Sequence, residues 1–265
     1  MTIQGSIIRD IASSKELIFI TGTEQSDITI AATSISNVSF TSTILESSAT
    51  FSGNTITFMK GTLITAEVSN ASIHSCKFTD LKNDGGYFIQ GHGAIAITVV
   101  DSIFENFPEN SLVYLSETQS FTSINSSYRA KVSQEYTLGK TNIRAIEAFE
   151  TTTTLEQNIF EHSESAKGGA LKLTNSNATL KGNTFKNNYA EKGGAIAFLC
   201  QVDTICSANM EENVFQGNQA IEGGAIHYNM FKPFLGTSNS FVNNKADYGP
   251  NLSSYAAYLE LPSND

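Results

Sequence analysis

The chain has 265 residues, 16% of them charged, and a formal net charge of −10 at neutral pH. That length is enough for one large all-β domain, while the acidic balance, with Arg9, Arg129 and Arg144 the only arginines and no Lys/Arg run, excludes the basic stripe that nucleic acid requires. Charged residues fall short of the roughly 25% usual in soluble domains, and Ser, Thr and Asn take up the difference, so the expected surface is rich in hydroxyls and amides.

Residues 1–30 hold no basic start followed by an apolar run, and Leu17–Ile20 is too short for a signal peptide or a membrane span. No membrane insertion by this segment is expected. Residues 1–20 show no obvious capping element and the repeat described below runs almost to the end. A complete solenoid caps its open strand edges, so of the two readings left, an intracellular protein or a segment of a longer, secreted or membrane-anchored chain, the second fits better.

The N-terminal half carries short strands of one kind. Asn37-Val38-Ser39-Phe40, Asn54-Thr55-Ile56-Thr57-Phe58, Cys76-Lys77-Phe78, Ser102-Ile103-Phe104 and Ser126-Ser127-Tyr128 each end on an aromatic residue. Alternating strands such as Ile28-Thr29-Ile30 and Ala94-Ile95-Ala96-Ile97 stand between them. Cys76 is expected to be a buried, inert thiol. Two irregular stretches, near Asn106–Thr122 and Ala130–Arg144, are expected to hold longer loops.

From residue 158 the pattern tightens to F-x-x-N-x-A-x-x-G-G-A. Phe185 is followed by Asn188, Ala190, Gly193, Gly194 and Ala195, and Phe215 at the same offsets by Asn218, Ala220, Gly223, Gly224 and Ala225. Phe160 is followed by Ser163, Ser165, Gly168, Gly169 and Ala170; Phe241 by Asn244, Ala246 and Gly249, then Pro250. The phenylalanines lie 25, 30 and 26 residues apart, the period of one β-helix coil and too short for a propeller blade of roughly 40–45 residues. The apolar residues alternate, as in Ala195-Ile196-Ala197-Phe198, and so mark strands rather than helices.

Each part of the repeat has a physical task. Phe fills the interior and stacks on the Phe of the next coil. Asn three residues on sits in a turn, where Asn above Asn forms a hydrogen-bonded ladder. Ala at offset five is expected at a crowded corner. Gly-Gly supplies φ > 0 and lets coils approach. The fold expected is therefore all-β, a right-handed parallel β-helix of about nine or ten coils, roughly 45 Å long at ~4.8 Å per coil. It is expected as a single domain over 1–265, with degenerate coils in 1–157, regular coils in 158–252 and a tail in 253–265.

Cys200 and Cys206 flank five residues, a separation that a disulfide closes if the Cα atoms lie within ~4.4–6.8 Å, and that two unrelated thiols fit equally. Five Asn-x-Ser/Thr sequons, at Asn37, Asn70, Asn125, Asn177 and Asn251, match the number that chance gives in so Asn-, Ser- and Thr-rich a chain.

Residues 158–252 resemble the repeats of polymorphic outer-membrane proteins, surface autotransporters with G-G-A-[ILV] and F-x-x-N, and similar β-helical repeats of large protist surface proteins. Ala246-Asp247-Tyr248-Gly249-Pro250-Asn251 with Ser254-Tyr255 resembles their last coil. The resemblance implies a pectin-lyase-like fold, an extracellular or cell-surface location and an adhesive role, with other proteins or surface glycans as partners. It carries over no catalytic residue.

Since β-helices also host polysaccharide lyases and glycosidases, catalytic patterns matter. Gly91-His92-Gly93 matches one element of a polygalacturonase-like set, but no N-T-D or D-D accompanies it; only Asp80 and Asp84 precede it, and Arg144 follows without its motif. Gly93-Ala94-Ile95 reads instead as a worn G-G-A-I corner. Adjacent Glu211 and Glu212 point to opposite faces of a strand. His74, His92, His162 and His227 show no ligand spacing. No catalytic residue, metal site or cofactor is expected. A ladder of ranked threonines is not expected either, because Thr151–Thr154 is a single run. The reading is a non-enzymatic structural or adhesive module, with a carbohydrate-binding or carbohydrate-cleaving β-helix as the alternative. A groove near residues 82–93 and 106–144, with Tyr87 and Phe88, would favour that alternative.

Overall fold

The computed structural model describes residues 2–9, 18–22, 27–36, 40–57, 59, 61–82, 86–107, 110–132 and 142–255. Asn37, Phe58, Asp84, residues 133–141 and the tail from 256 to 265, all invoked above, lie outside the described residues. The architecture is a right-handed parallel β-helix with three sheets of ten strands each. The first sheet runs from Thr2–Gln4 to Phe234–Leu235, the second from Ile7–Arg9 to Ser240–Val242 and the third from Ile18–Gly22 to Leu252–Ser254. Every coil donates one strand to each sheet in turn, and neighbouring coils pair in parallel.

Alternation dictates the core. In the first sheet Ala71, Ile97 and Phe121 occupy one inward row, and Ile73 and Val99 the next, all at 1% exposure or less. The inward row of the second sheet becomes an aromatic column. Phe78, Phe104, Tyr128, Phe160, Phe185, Phe215 and Phe241 stack with centroids 4.8–5.2 Å apart and planes within 10°. Each such pair contributes about 0.5–1.5 kcal/mol beyond its burial. Before Phe78 the same positions are Ile56 and Ile35, so the column begins in the fourth coil.

A fourth sheet, not anticipated, accompanies only the regular repeat. Its strands are Glu164–Lys167, Tyr189–Lys192, Gln219–Glu222 and Lys245–Tyr248, each after a repeat Asn or Ser and before Gly-Gly, or Gly249-Pro250 in the last coil. The alanine at offset five therefore lies within a strand and not at a corner: Ala190 is fully buried and pairs with Ser165.

Both glycines of each pair leave no room for a Cβ, but against different backbone: on Gly168, Gly193, Gly223 or Gly249 it would lie 2.0–2.3 Å from a carbonyl oxygen three residues on in the same coil. Gly168, Gly193, Gly223 and Gly249 have φ of +62 to +67°, which favours a residue without Cβ. A Cβ on Gly169, Gly194 or Gly224 would stand 2.2 Å from a carbonyl oxygen of the following coil. Pro250 takes this second position in the last coil, where no described strand lies beyond it.

The remaining corners use a different device. Ala32, Gly53, Ser75, Asp101, Asn125, Gln157, Gly182 and Glu212 all have positive φ at the corner between the first and second sheets. Each is followed by an inward polar or thiol side chain that carries the next hydrogen bond of a ladder. The stretch Asn106–Thr122 contains strands Val113–Ser116 and the start of Ser120–Ile124, and a register shift between Glu105 and Phe107 falls at its beginning.

Candidate functional site

The repeat residues face one another inside the solenoid. Asn188 Nδ2 donates to Asn218 Oδ1 at 3.0 Å, and Asn218 Nδ2 to Asn244 Oδ1 at 3.0 Å. The same amides bind the carbonyls of Phe160, Phe185 and Phe215 at 2.9–3.0 Å, and Ser163 N–H donates to Asn188 Oδ1. This is the expected ladder.

A longer ladder escaped the sequence reading. Backbone N–H groups of Thr33, Cys76, Ser102, Ser126, Asn158, Asn183 and Asn213 donate respectively to Asn54, Ser102, Ser126, Asn158, Asn183, Asn213 and Asn239 side chains at 2.9–3.2 Å. Cys76 fills one rung: its thiol accepts from Asn54 Nδ2 at 3.8 Å, and burial pushes its pKa up. Polar side chains are thus consumed as internal struts, which satisfies buried donors that would otherwise cost ~1–3 kcal/mol each.

Outward side chains form three different surfaces. On the first sheet, register aligns Thr2, Thr29, Thr50, Ser72, Thr98, Thr122, Thr154, Thr179 and Asn209 in one row. This overturns the expectation that no ranked threonines exist: Thr154 belongs to the row, whereas Thr153 beside it points inward and is buried. The second sheet carries a ladder of alternating charge. Arg129 lies 3.4 Å from Glu105 and 2.8 Å from Glu161, and Lys186 lies 3.7 Å from Glu161. Opposite signs neutralise one another along it, so it forms no basic stripe.

The third sheet presents the densest chemistry. Gln90, Tyr114, Glu147 and Lys172 occupy one outward row. Tyr87 stacks on Tyr114 at 4.4 Å and 17°, with the His92 ring edge-on to Tyr114 at 5.9 Å. Phe88, the other aromatic noted in the sequence, is instead core, packed edge-on against Phe78 at 5.3 Å. Beneath the row lies Arg144, 5% exposed. Its Nε donates to Gly168 O at 3.0 Å, and Nη2 donates to Ser165 Oγ and Lys167 O at 2.9 Å. Its Nη1 donates to Ser111 Oγ at 3.2 Å and to Glu147. Glu147 also accepts from Lys172 Nζ at 2.8 Å and from Ser111 at 3.2 Å.

Burial alone would raise the Glu147 carboxyl, but Arg144, Lys172 and Ser111 outweigh it and hold the group below its ordinary value. A carboxylate so committed on both oxygens is a poor general acid or base. A depressed carboxyl stabilises the fold above its unfolded value and loses that contribution as pH falls through its folded value. The expected result is that Glu147→Gln destabilises the chain at about pH 7 and that the difference shrinks at about pH 3. Urea midpoints at the two pH values measure it; a constant difference would refute the ion-pair account.

The Gly-His-Gly match has a structural explanation different from the expected one. His92 ends strand Ile89–His92, so Gly93 turns the corner from the third sheet to the first and is not equivalent to Gly-Gly. Gly91 points inward, where a Cβ would meet Ile97 Cδ1 and Thr118 Oγ1 at 2.8 Å. His74 lies on the first sheet and His162 at a corner, far from this row in the topology. His227 is buried, its Nδ1 2.8 Å from Ser253 Oγ and its ring edge-on to Tyr255; burial lowers its pKa. Glu212 occupies an exposed corner next to Glu211.

Two of the hollows among the described residues lie at corners of the coils. One of about 330 Å3 is bordered by Asp27 and Glu46, and its described lining holds no histidine, lysine or arginine. Another of about 150 Å3 lies beside His162, Tyr189 and Gln219. Among the described residues no group of three or more His, Cys, Asp or Glu is placed to hold a metal ion, and no helix is long and apolar enough to cross a membrane. Cys200 and Cys206 are joined in a disulfide, with Cα atoms 6.4 Å apart. The chain matches no protein-family model, and comparison with curated proteins and with solved structures yields no match either.

Proposed function

We propose that this β-helix is a non-enzymatic structural or adhesive module of a cell-surface or extracellular protein, built from repeats of the polymorphic outer-membrane protein type. The observation that carries the reading is where the polar residues go. The asparagines of the repeat are spent on internal ladders, while an outward row of short hydroxyl side chains runs from Thr2 to Thr179 across eight coils. Such a row offers repeated, identical contacts to an extended partner, and weak contacts repeated along a rigid scaffold add up to avidity. Other proteins and surface glycans are the proposed partners.

The alternative, a carbohydrate-binding or carbohydrate-cleaving β-helix, draws support from the Tyr87–Tyr114 pair beside Gln90 and His92. One experiment separates the two. Beads coated with the protein are offered to immobilised glycans and to surface proteins, and soluble polysaccharides are assayed for chain shortening. Retention without turnover is expected, lost in a Thr98→Arg/Thr122→Arg/Thr154→Arg variant. Depolymerisation by the wild type that disappears in His92→Ala would replace the adhesive reading with the enzymatic one.

A further inference from the structure

Most coils pass from the third sheet to the first in two or three residues, such as Glu150-Thr151 and Asn175-Ser176. Two adjacent coils near the C-terminal end do not. There the corner lengthens to residues 200–207 in one coil and 229–233 in the next. Register places them side by side, since Ala197 pairs with His227 before the loops and Asn209 with Phe234 after them.

The first loop is firmly held at its base. The Cys200–Cys206 disulfide closes it, and both cysteines are buried. Gln201 N–H donates to Asn175 Oδ1 of the preceding coil at 2.9 Å, and Cys200 N–H to Asn229 Oδ1 of the following coil at 2.6 Å. Yet apolar side chains here stand in water: Val202 is 76% exposed and Ile205 88% on the first loop, Met230 and Phe231 are exposed on the second, and Phe234, which opens the strand after it, is 65% exposed. At roughly 200 Å2 per large side chain, these five leave on the order of 500 Å2 of apolar surface, at the upper end of what a monomer tolerates. A rigid base under apolar tips is a preorganised contact surface.

We propose that this double-loop knob is a self-association surface, through which two copies of the chain pack knob against knob about a two-fold axis. Charge and area select this occupant. Asp203 and Lys232 sit on the two adjoining loops, both exposed and neither in an ion pair among the described residues. A two-fold contact is self-complementary, so an antiparallel meeting of the knobs sets each Asp203 opposite the other copy's Lys232. Two knobs bury on the order of 1,000 Å2 in total, the lower bound of a specific interface and the range of weak, reversible association. A bilayer fits less well, since the chain has no Trp and the knob only one basic residue. The net charge of −10 on each copy opposes approach over long range, so added salt strengthens the pairing. The inference names a different partner from the adhesive reading; Phe234 continues the outward row of the first sheet beyond Asn209, so the Thr98→Arg/Thr122→Arg/Thr154→Arg variant, altered only in distant coils, keeps the two apart: it is expected to lose retention and still self-associate.

Sedimentation equilibrium of the full chain over about 1–200 μM, at low and physiological salt, tests it. The expected mass rises from 28.6 kDa toward twice that value with a micromolar midpoint, more readily at the higher salt. Ile205→Ser/Phe234→Ser is expected to weaken association about tenfold or more, with an unchanged circular-dichroism melting profile. Asp203→Lys is expected to weaken it, and Asp203→Lys/Lys232→Asp to restore it. A monomer at every concentration overturns the proposal, as does association that the apolar variant leaves intact. Flotation of the monomer with phosphatidylcholine vesicles, lost in Ile205→Ser/Phe234→Ser, also overturns it by naming a lipid surface as the occupant.

Discussion

Gly194→Ala is expected to destroy the stacking of the regular coils. The added methyl carbon would lie 2.2 Å from Gly224 O, 2.6 Å from Gln219 O and 2.8 Å from Gln219 N. All three are backbone atoms of the next coil, so no side-chain rotation relieves the clash, and opening the gap breaks the bonds Gly194 N–H to Gly223 O and Ala195 N–H to Ala225 O. Gly194 is not among the positive-φ glycines, so the effect is one of space alone. Losses above ~4 kcal/mol belong to this kind of overpacking combined with broken backbone bonds, a large share of the ~5–15 kcal/mol that holds a typical domain folded. Gly93→Ala is the matched control. Its φ of +56° strains a Cβ, but nothing lies within 4 Å, so a cost of ~1–2 kcal/mol is expected. Urea unfolding followed by far-ultraviolet circular dichroism compares them, and equal losses would show that the close approach of coils is not what the second glycine provides.

That contrast also explains which parts of the molecule the sequence discloses. A position where only one residue type fits repeats visibly: Phe in a stacked column, Gly under a carbonyl at 2.2 Å, Asn bridging to Asn. The second ladder stayed hidden because its rungs accept any small side chain that can bridge, so Thr33, Asn54, Cys76, Ser102 and Ser126 hide one function behind four residue types. Its corners bend at positive φ mostly without glycine, through Ser75, Asp101, Asn125, Gln157 and Glu212. The threonine row was invisible for a different reason. Loop lengths vary from coil to coil, so its members fall at 29, 50, 72, 98, 122, 154 and 179, and no fixed spacing betrays them until strand register is known. The third-sheet cluster is likewise a product of register, since Tyr87, Tyr114, Arg144 and Glu147 come from three coils and share no motif. The fourth sheet follows the regular repeat closely yet reads as a corner in the sequence, because four residues between two turn signals are compatible with either.

Asn183→Ala is expected to be nearly as damaging as the glycine change, by a mechanism that chemistry can rescue. Asn183 is fully buried, and its Oδ1 accepts from Asn158 N at 3.0 Å and Asn158 Nδ2 at 3.1 Å. Its Nδ2 donates to Leu155 O at 2.8 Å and to Asn213 Oδ1 at 3.0 Å. Alanine fills little of the site and bonds to none of these groups. It strands the Asn158 N–H inside the solenoid, away from water, and removes one partner each from the Leu155 carbonyl and the Asn158 and Asn213 amides. At ~1 kcal/mol for each of the lost bonds, ~1–3 kcal/mol for the stranded N–H, and the broken cooperativity of the ladder, the expected loss is about 3–5 kcal/mol. Serine should do better. Ser102 and Ser126 occupy equivalent rungs and accept the preceding coil's N–H at 3.1–3.2 Å, so Asn183→Ser is expected to recover about half of the loss. Because each coil touches only its neighbours, the damage is also expected to be local. Hydrogen exchange should accelerate at Asn158, Asn183 and Asn213 and in the strands Thr152–Glu156, Asn177–Lys181 and Ala208–Glu211, while Asn70–His74 keeps its protection. If serine and alanine cost the same, the side chain matters for volume and not for bonding. If exchange rises equally in Asn70–His74, the ladder acts as one cooperative unit along the whole solenoid, and rung-by-rung additivity is wrong.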